Sequence, residues 1–400
     1  MTLKSVHDVE LSGRRLLIRA DLNVPMKNGV VADATRIERF AAGLKPLLVN
    51  GARAVVLSHL GRPDGMPRPD LSLEPVAAAL GRALGKDVAF CEAVSGPVAE
   101  KAAAALGPGD VLVCENLRFD PREEANDASL AEELAALGDL YVNDAFSCAH
   151  RAHASTVAIA ERLPAVAGPL MMAEISALTQ ALDAPQRPAV ALVGGAKVSS
   201  KIDVLSNLVG KVDALIVGGG MANTFLAANG LPVGKSLHEP AQFETVRKIL
   251  ARAQDRGCEI VLPIDIVWAD RFESGAEAHV AELDHCPEYG MILDAGPRSI
   301  ERIWDIFAGA KTILWNGPLG AFEIEPFDHA TEAVAVEAAR LTRAGLVRSI
   351  AGGGDTVAAL NAAGVTDDFT YVSTAGGAFL EWIEGKELPG VSVLKAPQLV

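Results

Sequence analysis

Ala189-Val190-Ala191-Leu192-Val193-Gly194-Gly195-Ala196-Lys197-Val198-Ser199-Ser200-Lys201 lies near the middle of a 400-residue chain. Five apolar residues between Pro188 and a glycine pair have the look of a short buried strand. Beyond the glycines, Val198, Ile202, Leu205 and Leu208 recur at helical spacing, which predicts a helix over 198–208. The glycines therefore mark a strand-to-helix turn, where backbone N–H groups and the positive end of a helix favour anions. Lys197 at the mouth of the turn and Lys201 one helical turn on would present two solvent-accessible amines on one side. One such turn is as readily a solvated lysine pair as a phosphate site, so the other strand ends must decide.

Length predicts two domains, because a single core rarely organises this many residues. Half the residues are apolar and 22% are charged, as in ordinary globular proteins. A formal net charge of −15 argues against nucleic acid or an anionic membrane as partner. Cys91, Cys114, Cys148, Cys258 and Cys286 form neither a disulfide framework nor a CxxC pair, which points to a reducing compartment. With no leader-like segment after Met1 and no apolar run of membrane length, the expectation is a cytoplasmic protein.

Strand-like runs alternate with helical ones throughout. Leu16–Ile18, Ala54–Leu57, Val111–Cys114 and Leu140–Val142 are strands of the first half. Val190–Val193, Ala214–Val217, Glu259–Leu262, Thr312–Trp315 and Ser349–Ala351 are strands of the second. Helical segments such as Glu74–Leu84, Ser129–Leu137 and Thr331–Leu341 lie between them. The pattern predicts α/β architecture with parallel sheets, and Leu170–Leu182, bracketed by prolines, reads as a connecting helix.

Ligands of such sheets bind beyond the carboxyl ends of the strands. In the first half those ends carry Arg62, Arg118, Arg151 and His59, with His153 and Arg36 as further candidates. A lone arginine there usually caps a helix or pairs with a carboxylate. Four or five at successive strand ends predict a small, multiply anionic ligand.

Strands of the second half end in glycine instead: Gly218-Gly219-Gly220, Asn316-Gly317-Pro318, Gly352-Gly353-Gly354-Asp355-Thr356 and Ala375-Gly376-Gly377. Glycine loops of this kind form anion nests, and Asp355 beside one makes sense with Mg²⁺ between the carboxylate and a phosphate. Two lookalikes fail. Gly230 to Ser236 has three residues, not four, between its glycines and a proline inside, so it is no Walker A loop. Gly218 to Asn223 lacks the third glycine of a dinucleotide fingerprint. His59, His150 and His153 could suggest a metal, but their arginine neighbours favour anions.

These motifs resemble the phosphoglycerate kinase family. The resemblance rests on Arg19-Ala-Asp-Leu-Asn-Val-Pro25, Leu57-Ser-His-Leu-Gly-Arg-Pro63, Glu115-Asn-Leu-Arg-Phe119, Gly194-Gly-Ala-Lys-Val198, Trp315-Asn-Gly-Pro318 and Gly352-Gly-Gly-Asp-Thr356. Their order runs nearly end to end; the one departure is Ala375, where the family usually has glycine. The resemblance implies two similarly sized parallel-sheet α/β/α domains facing across a hinge cleft: a glycerate-binding domain over 1–170, a nucleotide-binding domain over 171–387, and a tail, 388–400, returning to the first. It implies phosphoryl transfer between 1,3-bisphosphoglycerate and ADP, giving 3-phosphoglycerate and ATP, by a cytoplasmic monomer using Mg²⁺. Asp21 and Asn23 would hold glycerate, and Arg36, His59, Leu60, Gly61, Arg62, Arg118 and Arg151 its phosphate and carboxyl end. Lys197, with Arg36, would face the migrating phosphoryl group. Lys201, Asn316, Glu323, Gly352, Gly353, Gly354, Asp355 and Thr356 would hold nucleotide, with Asp355 on Mg²⁺ and Glu323 on ribose. A hinged binding protein would account for the first site alone, and a nucleotide sensor for the second alone.

Overall fold

Apolar runs of four to six residues bury both faces only inside a covered parallel sheet, and this chain builds two of them. The computed structural model describes residues 3–395. They fall into two units, residues 3–175 with 387–395, and residues 176–386. The divisions lie at Ile175/Ser176 and Lys386/Glu387, a few residues from the boundaries expected from sequence.

In the first unit the strands are β1 (Arg15–Ala20), the hairpin β2 (Met26–Lys27) and β3 (Val30–Val31), β4 (Arg53–Leu57), β5 (Ala89–Cys91), β6 (Val111–Cys114), β7 (Leu140–Asp144) and β8 (Ala165–Ala167). Six of them form a parallel sheet in the order β5-β6-β4-β1-β7-β8. The helix Thr35–Val49 buries Ile37, Phe40, Ala41, Leu44, Leu47 and Leu48, the stripe its spacing dictates. These residues join Leu16, Ile18, Val56 and Val113 in one core.

Beyond β7 the chain is tied down at one place. Asp144 accepts hydrogen bonds from the backbone of Leu170 (2.7 Å) and Met171 (3.1 Å), at the start of the helix Pro169–Leu182. Burial pushes its carboxyl up to about 7. Next to it, the Asn143 amide donates to the carbonyl of Gly390 (3.2 Å), and the backbone N–H of Gly390 donates to Ala149 (2.9 Å). Residues 387–395 thus pack within the first unit as the short helix Pro389–Ser392 and the turn Val393–Lys395. The remainder of the expected tail, 396–400, lies outside the described residues.

The second unit contains β9 (Ala189–Val193), β10 (Ala214–Val217), β11 (Glu259–Val261), β12 (Asp265–Ala269), β13 (His279–Glu282), β14 (Met291–Ala295), β15 (Thr312–Asn316), β16 (Arg348–Gly352) and β17 (Tyr371–Ser373). Its parallel sheet runs β11-β10-β9-β15-β16-β17, so strand order reverses between β9 and β15. A small antiparallel sheet, β13-β12-β14, was not expected from sequence. Trp315, 1% exposed, packs between Phe307 and Phe369 in the core behind the sheet.

At the reversal point the ends of β9 and β15 come so close that a side chain has no room. A Cβ on Gly194 would stand 1.7 Å from the carbonyl oxygen of Pro318. Gly194→Ala must push two backbones apart and should cost at least roughly 1–3 kcal/mol, the scale of overpacking. Denaturant unfolding checks this, and a variant with the wild-type midpoint would refute the close approach.

Candidate active site

The arginine-rich ends of the first sheet form two layers. On the surface, Arg62 and Arg151 are exposed, and neither is paired with a carboxylate among the described residues. Arg36, in the first turn of its helix, donates to Asp21 Oδ2 (2.7 Å) and to the Asn23 carbonyl (3.1 Å). Asp21 Oδ2 also accepts from the Ser147 hydroxyl (2.5 Å). Asn23 Oδ1 accepts from the backbone of Gly61 (3.0 Å), whose carbonyl accepts from Arg118 (2.7 Å). Leu60 is buried and contributes through its carbonyl, held by Asn116 (2.8 Å). Asp21, Asn23, Arg36, Gly61 and Arg118 are therefore one hydrogen-bonded rim, with Arg118 also paired to Glu124 (3.2 Å).

Beneath the rim lies a second layer that sequence reasoning missed. Arg19, at the end of β1, is 1% exposed and donates to Ser155 Oγ (3.0 Å), His59 Nδ1 (3.1 Å) and Cys148 Sγ (3.5 Å). Its place in the buried run Leu16-Leu-Ile-Arg19-Ala20 is the signal that could have found it. His153, proposed for the rim, is instead buried, 3.8 Å from Glu123. Burial, with Arg19, Arg118 and Arg151 nearby, pulls its imidazole down to about 4, so it is neutral. Asp21, His59 and Cys148 bring one potential metal ligand each within 4.8 Å of one another. Their lone pairs already accept from Arg19 and Arg36, so the cluster reads as part of an anion site.

In the second unit a cavity of about 510 Å³ opens at the reversal point. Gly195, Ala196, Gly219, Gly220, Glu323 and Asp355 are among its walls. Both acids singled out from sequence thus meet the glycine turns in one space. Gly353, at φ +101°, takes a conformation that a side chain resists, and a Cβ there would lie 2.6 Å from Asn316 Nδ2. It precedes the helix Gly354–Ala362, with Asp355 in the first turn. Asp355 is exposed in the cavity wall, where its carboxylate can serve a ligand. Thr356 is buried, and its hydroxyl accepts from the backbone of Gly317 (2.7 Å).

The expected helix over 198–208 is broken. Val198–Ser200 is a single 3₁₀ turn, Lys201 leaves helical geometry, and the α-helix spans Ile202–Leu208. Glu239 causes part of this, accepting from the Ser199 backbone (2.9 Å) and hydroxyl (2.6 Å). Lys197 remains exposed at the mouth of the turn. Lys201 does not: its Nζ donates to the Gly194 carbonyl (2.7 Å), the Asn316 carbonyl (3.1 Å) and Asn316 Oδ1 (2.7 Å). The Asn316 amide in turn donates to Gly352 (2.7 Å). Burial lowers the Lys201 ammonium to about 8, against an opposing pull from Asp355. The expectation of two accessible amines holds for Lys197 alone.

The rejected Walker-like loop is a backbone bridge, with the N–H of Lys235 donating to Gly290 (2.8 Å), although Lys235 also lines the cavity. Ala375 is absent from the positive-φ positions, so the missing glycine imposes no left-handed backbone there. Left-handed geometry falls on Gly376, at φ +53°.

An arginine-rich anion site on one α/β unit and a glycine-walled, acid-bearing cavity on another are the features of a small-molecule kinase. A sequence model of phosphoglycerate kinase matches residues 6–386, and the chain belongs to the phosphoglycerate kinase family. It is 60% identical over 386 residues to phosphoglycerate kinase of Methylobacterium radiotolerans, covering 96% of each chain. It is 57% identical over 394 residues to that of Ruegeria pomeroyi, covering 98% of this chain and 99% of the relative. Among solved structures, phosphoglycerate kinase from Coxiella burnetii superposes with a TM-score of 0.92 at 43% identity, covering 98% of this chain and 99% of that one. The enzyme from Pyrococcus horikoshii gives 0.77 at 29% identity, covering 98% of each.

The state of Lys201 makes a pH prediction. Its amine is cationic below about 8 and neutral above, so attraction for a polyphosphate is present below that value and lost above it. Mg-ADP affinity should fall by up to about tenfold per pH unit above pH 8. Lys201→Met should bind weakly at every pH, with a flat profile. Calorimetric titration across the range checks this, and a flat wild-type profile would remove Lys201 from nucleotide binding.

Proposed function

We propose a division of labour between the two units for the reaction of the phosphoglycerate kinase family, which this chain catalyses: reversible transfer of a phosphoryl group between 1,3-bisphosphoglycerate and ADP. The first unit holds the glycerate ligand. Asp21 and Asn23 face its glycerate portion, and Arg36, His59, Arg62, Arg118 and Arg151 face its anionic ends, with the backbone of Leu60 and Gly61 completing the wall. The second unit holds nucleotide, with Glu323 on ribose and Lys201, Asn316, Gly352, Gly353, Gly354, Asp355 and Thr356 forming or supporting the phosphate end. The observation that carries this reading is the single cavity in which the glycine turns, Glu323 and Asp355 meet.

Asp355 suits Mg²⁺, a hard cation that takes one or two carboxylates together with phosphate oxygens. Its carboxylate is exposed in the cavity wall. When bound with nucleotide, Mg²⁺ neutralises phosphate charge. No group of this chain has to move a proton. The attacking oxygen of ADP and the departing carboxylate are both anionic near neutral pH, so a P–O bond forms to ADP as the acyl P–O bond breaks. The obstacle is repulsion between anions and in-line alignment. Lys197 and Arg36 supply positive charge where the phosphoryl group migrates, an effect that is strongest in a dry site. Direct transfer requires the ligands of the two units to reach one another, and excluding water then protects the acyl phosphate.

The chain is read as a cytoplasmic monomer. All five cysteines are free, and among the described residues no helix is long and apolar enough to cross a membrane.

Separate titrations of 3-phosphoglycerate and Mg-ADP test the split. Arg62→Ala should weaken 3-phosphoglycerate binding strongly and leave Mg-ADP affinity unaltered; equal loss of both would overturn the assignment. Lys197→Met should cut kcat by roughly 10²–10³-fold with little change in nucleotide affinity, as for removal of one preorganised charge stabiliser. Steady-state kinetics at saturating substrates decides it, since near-normal turnover would exclude a role at the migrating group.

A further inference from the structure

The layer beneath the basic rim contains a continuous chain of hydrogen bonds ending on His59. Glu123, 1% exposed, accepts from the Ser155 hydroxyl at Oε1 (2.5 Å) and from the Ser155 backbone at Oε2 (2.9 Å). Ser155 Oγ accepts from Arg19 Nε (3.0 Å), and Arg19 NH2 reaches His59 Nδ1 (3.1 Å). The Tyr141 hydroxyl fixes the same segment by donating to the Ser155 carbonyl (2.7 Å). Each link has a forced direction. A guanidinium has only donors, so Nδ1 of His59 must be the acceptor. The serine hydroxyl takes a proton contact from Arg19 and passes its own proton toward Glu123.

We infer that Glu123 is a positioning residue: through Ser155 and Arg19 it holds His59 as a neutral ring whose only proton is on Nε2. His59 is then a hydrogen-bond donor of fixed tautomer for the glycerate ligand. A freely rotating cation would lack that fixed direction. The buried carboxylate has a second task, since Arg19 without a counter-charge would be a costly buried cation. The groups around His59 agree. Arg19, Arg118 and Arg36 are cationic and His153 is neutral, while Asp21 and Cys148 are the other polar neighbours. Burial, then Arg19 and the remaining cations, holds the imidazole well below its ordinary value, so one tautomer persists through the neutral range. The inference rests on His59 facing the glycerate ligand, but the tautomer itself does not.

The test uses the full chain and two readouts. Long-range ¹H–¹⁵N NMR, with the His59 signals assigned by their loss in His59→Gln, should show pure Nε2–H between about pH 6 and 8. An Nδ1–H tautomer or an imidazolium in the wild type overturns the proposal without need of any further variant. Ser155→Ala cuts the chain while leaving Glu123 in place. It should give mixed tautomers and raise KM for 3-phosphoglycerate roughly tenfold, with kcat and Mg-ADP affinity unaltered. Ser155→Thr, which keeps the hydroxyl, should recover both signals. A Ser155→Ala protein that retains pure Nε2–H, or that binds 3-phosphoglycerate normally, also overturns it. Failure of the wild type to bind 3-phosphoglycerate would instead sink the site assignment, and the NMR result would still decide the tautomer.

Discussion

One ammonium group organises the strand ends of the second unit. Lys201 places three protons on the ends of two neighbouring strands, Gly194 after β9 and Asn316 closing β15. Asn316 passes the connection on to Gly352 at the end of β16. Three loops at these strand ends are thereby set in register, which is what preorganisation of the proposed anion site requires. The arrangement explains why Lys201 leaves helical geometry, since only a broken backbone lets the amine turn back into the strand ends. It also explains the glycines, which are needed where two backbones run too close for a Cβ.

The arginine-rich strand ends of the first unit carry more charge at more depth. Exposed arginines can move to meet a ligand, but a cluster of them repels itself unless something beneath supplies negative charge or geometry. Asp21 supplies it at the rim by pairing with Arg36, and Glu123 supplies it below by way of Ser155 and Arg19. Burial raises the Glu123 carboxyl, while the surrounding charges stabilise the Arg19 cation, and hydrogen bonding is the condition under which such buried groups persist.

Much of this was legible in the sequence, for definite reasons. Val111–Cys114 and Ala214–Val217 are continuous apolar runs, the first ending at Glu115 and the second at glycines, and a buried parallel strand reads this way. Because ligands of parallel sheets bind beyond the carboxyl ends of the strands, the glycine motifs there could be taken as a candidate site. What escaped depended on partners far away in the chain. Nothing near Lys201 announces that its amine turns inward, because the acceptors include Asn316. The break at Lys201 is accompanied by Glu239 capturing Ser199, a contact across forty residues that periodicity does not register. Glu123 looks like a surface acid beside Arg122 and Glu124, and only the fold buries it. The antiparallel sheet β13-β12-β14 also escaped, although β12 and β14 carry the apolar runs Ile266–Ala269 and Met291–Leu293; only β13 is half polar and partly exposed.

The end of β7 has a mechanical consequence. Within two residues, Asn143 and Asp144 hold Gly390, Leu170 and Met171, and the chain continues directly into the segment that supplies Ser147, Cys148 and Arg151. The polypeptide crosses between its units twice, shortly after Met171 and shortly before Gly390. Both crossings therefore leave from one strand end, where two adjacent side chains, Asn143 and Asp144, each hold one of them beside the segment that reaches the arginine-rich rim.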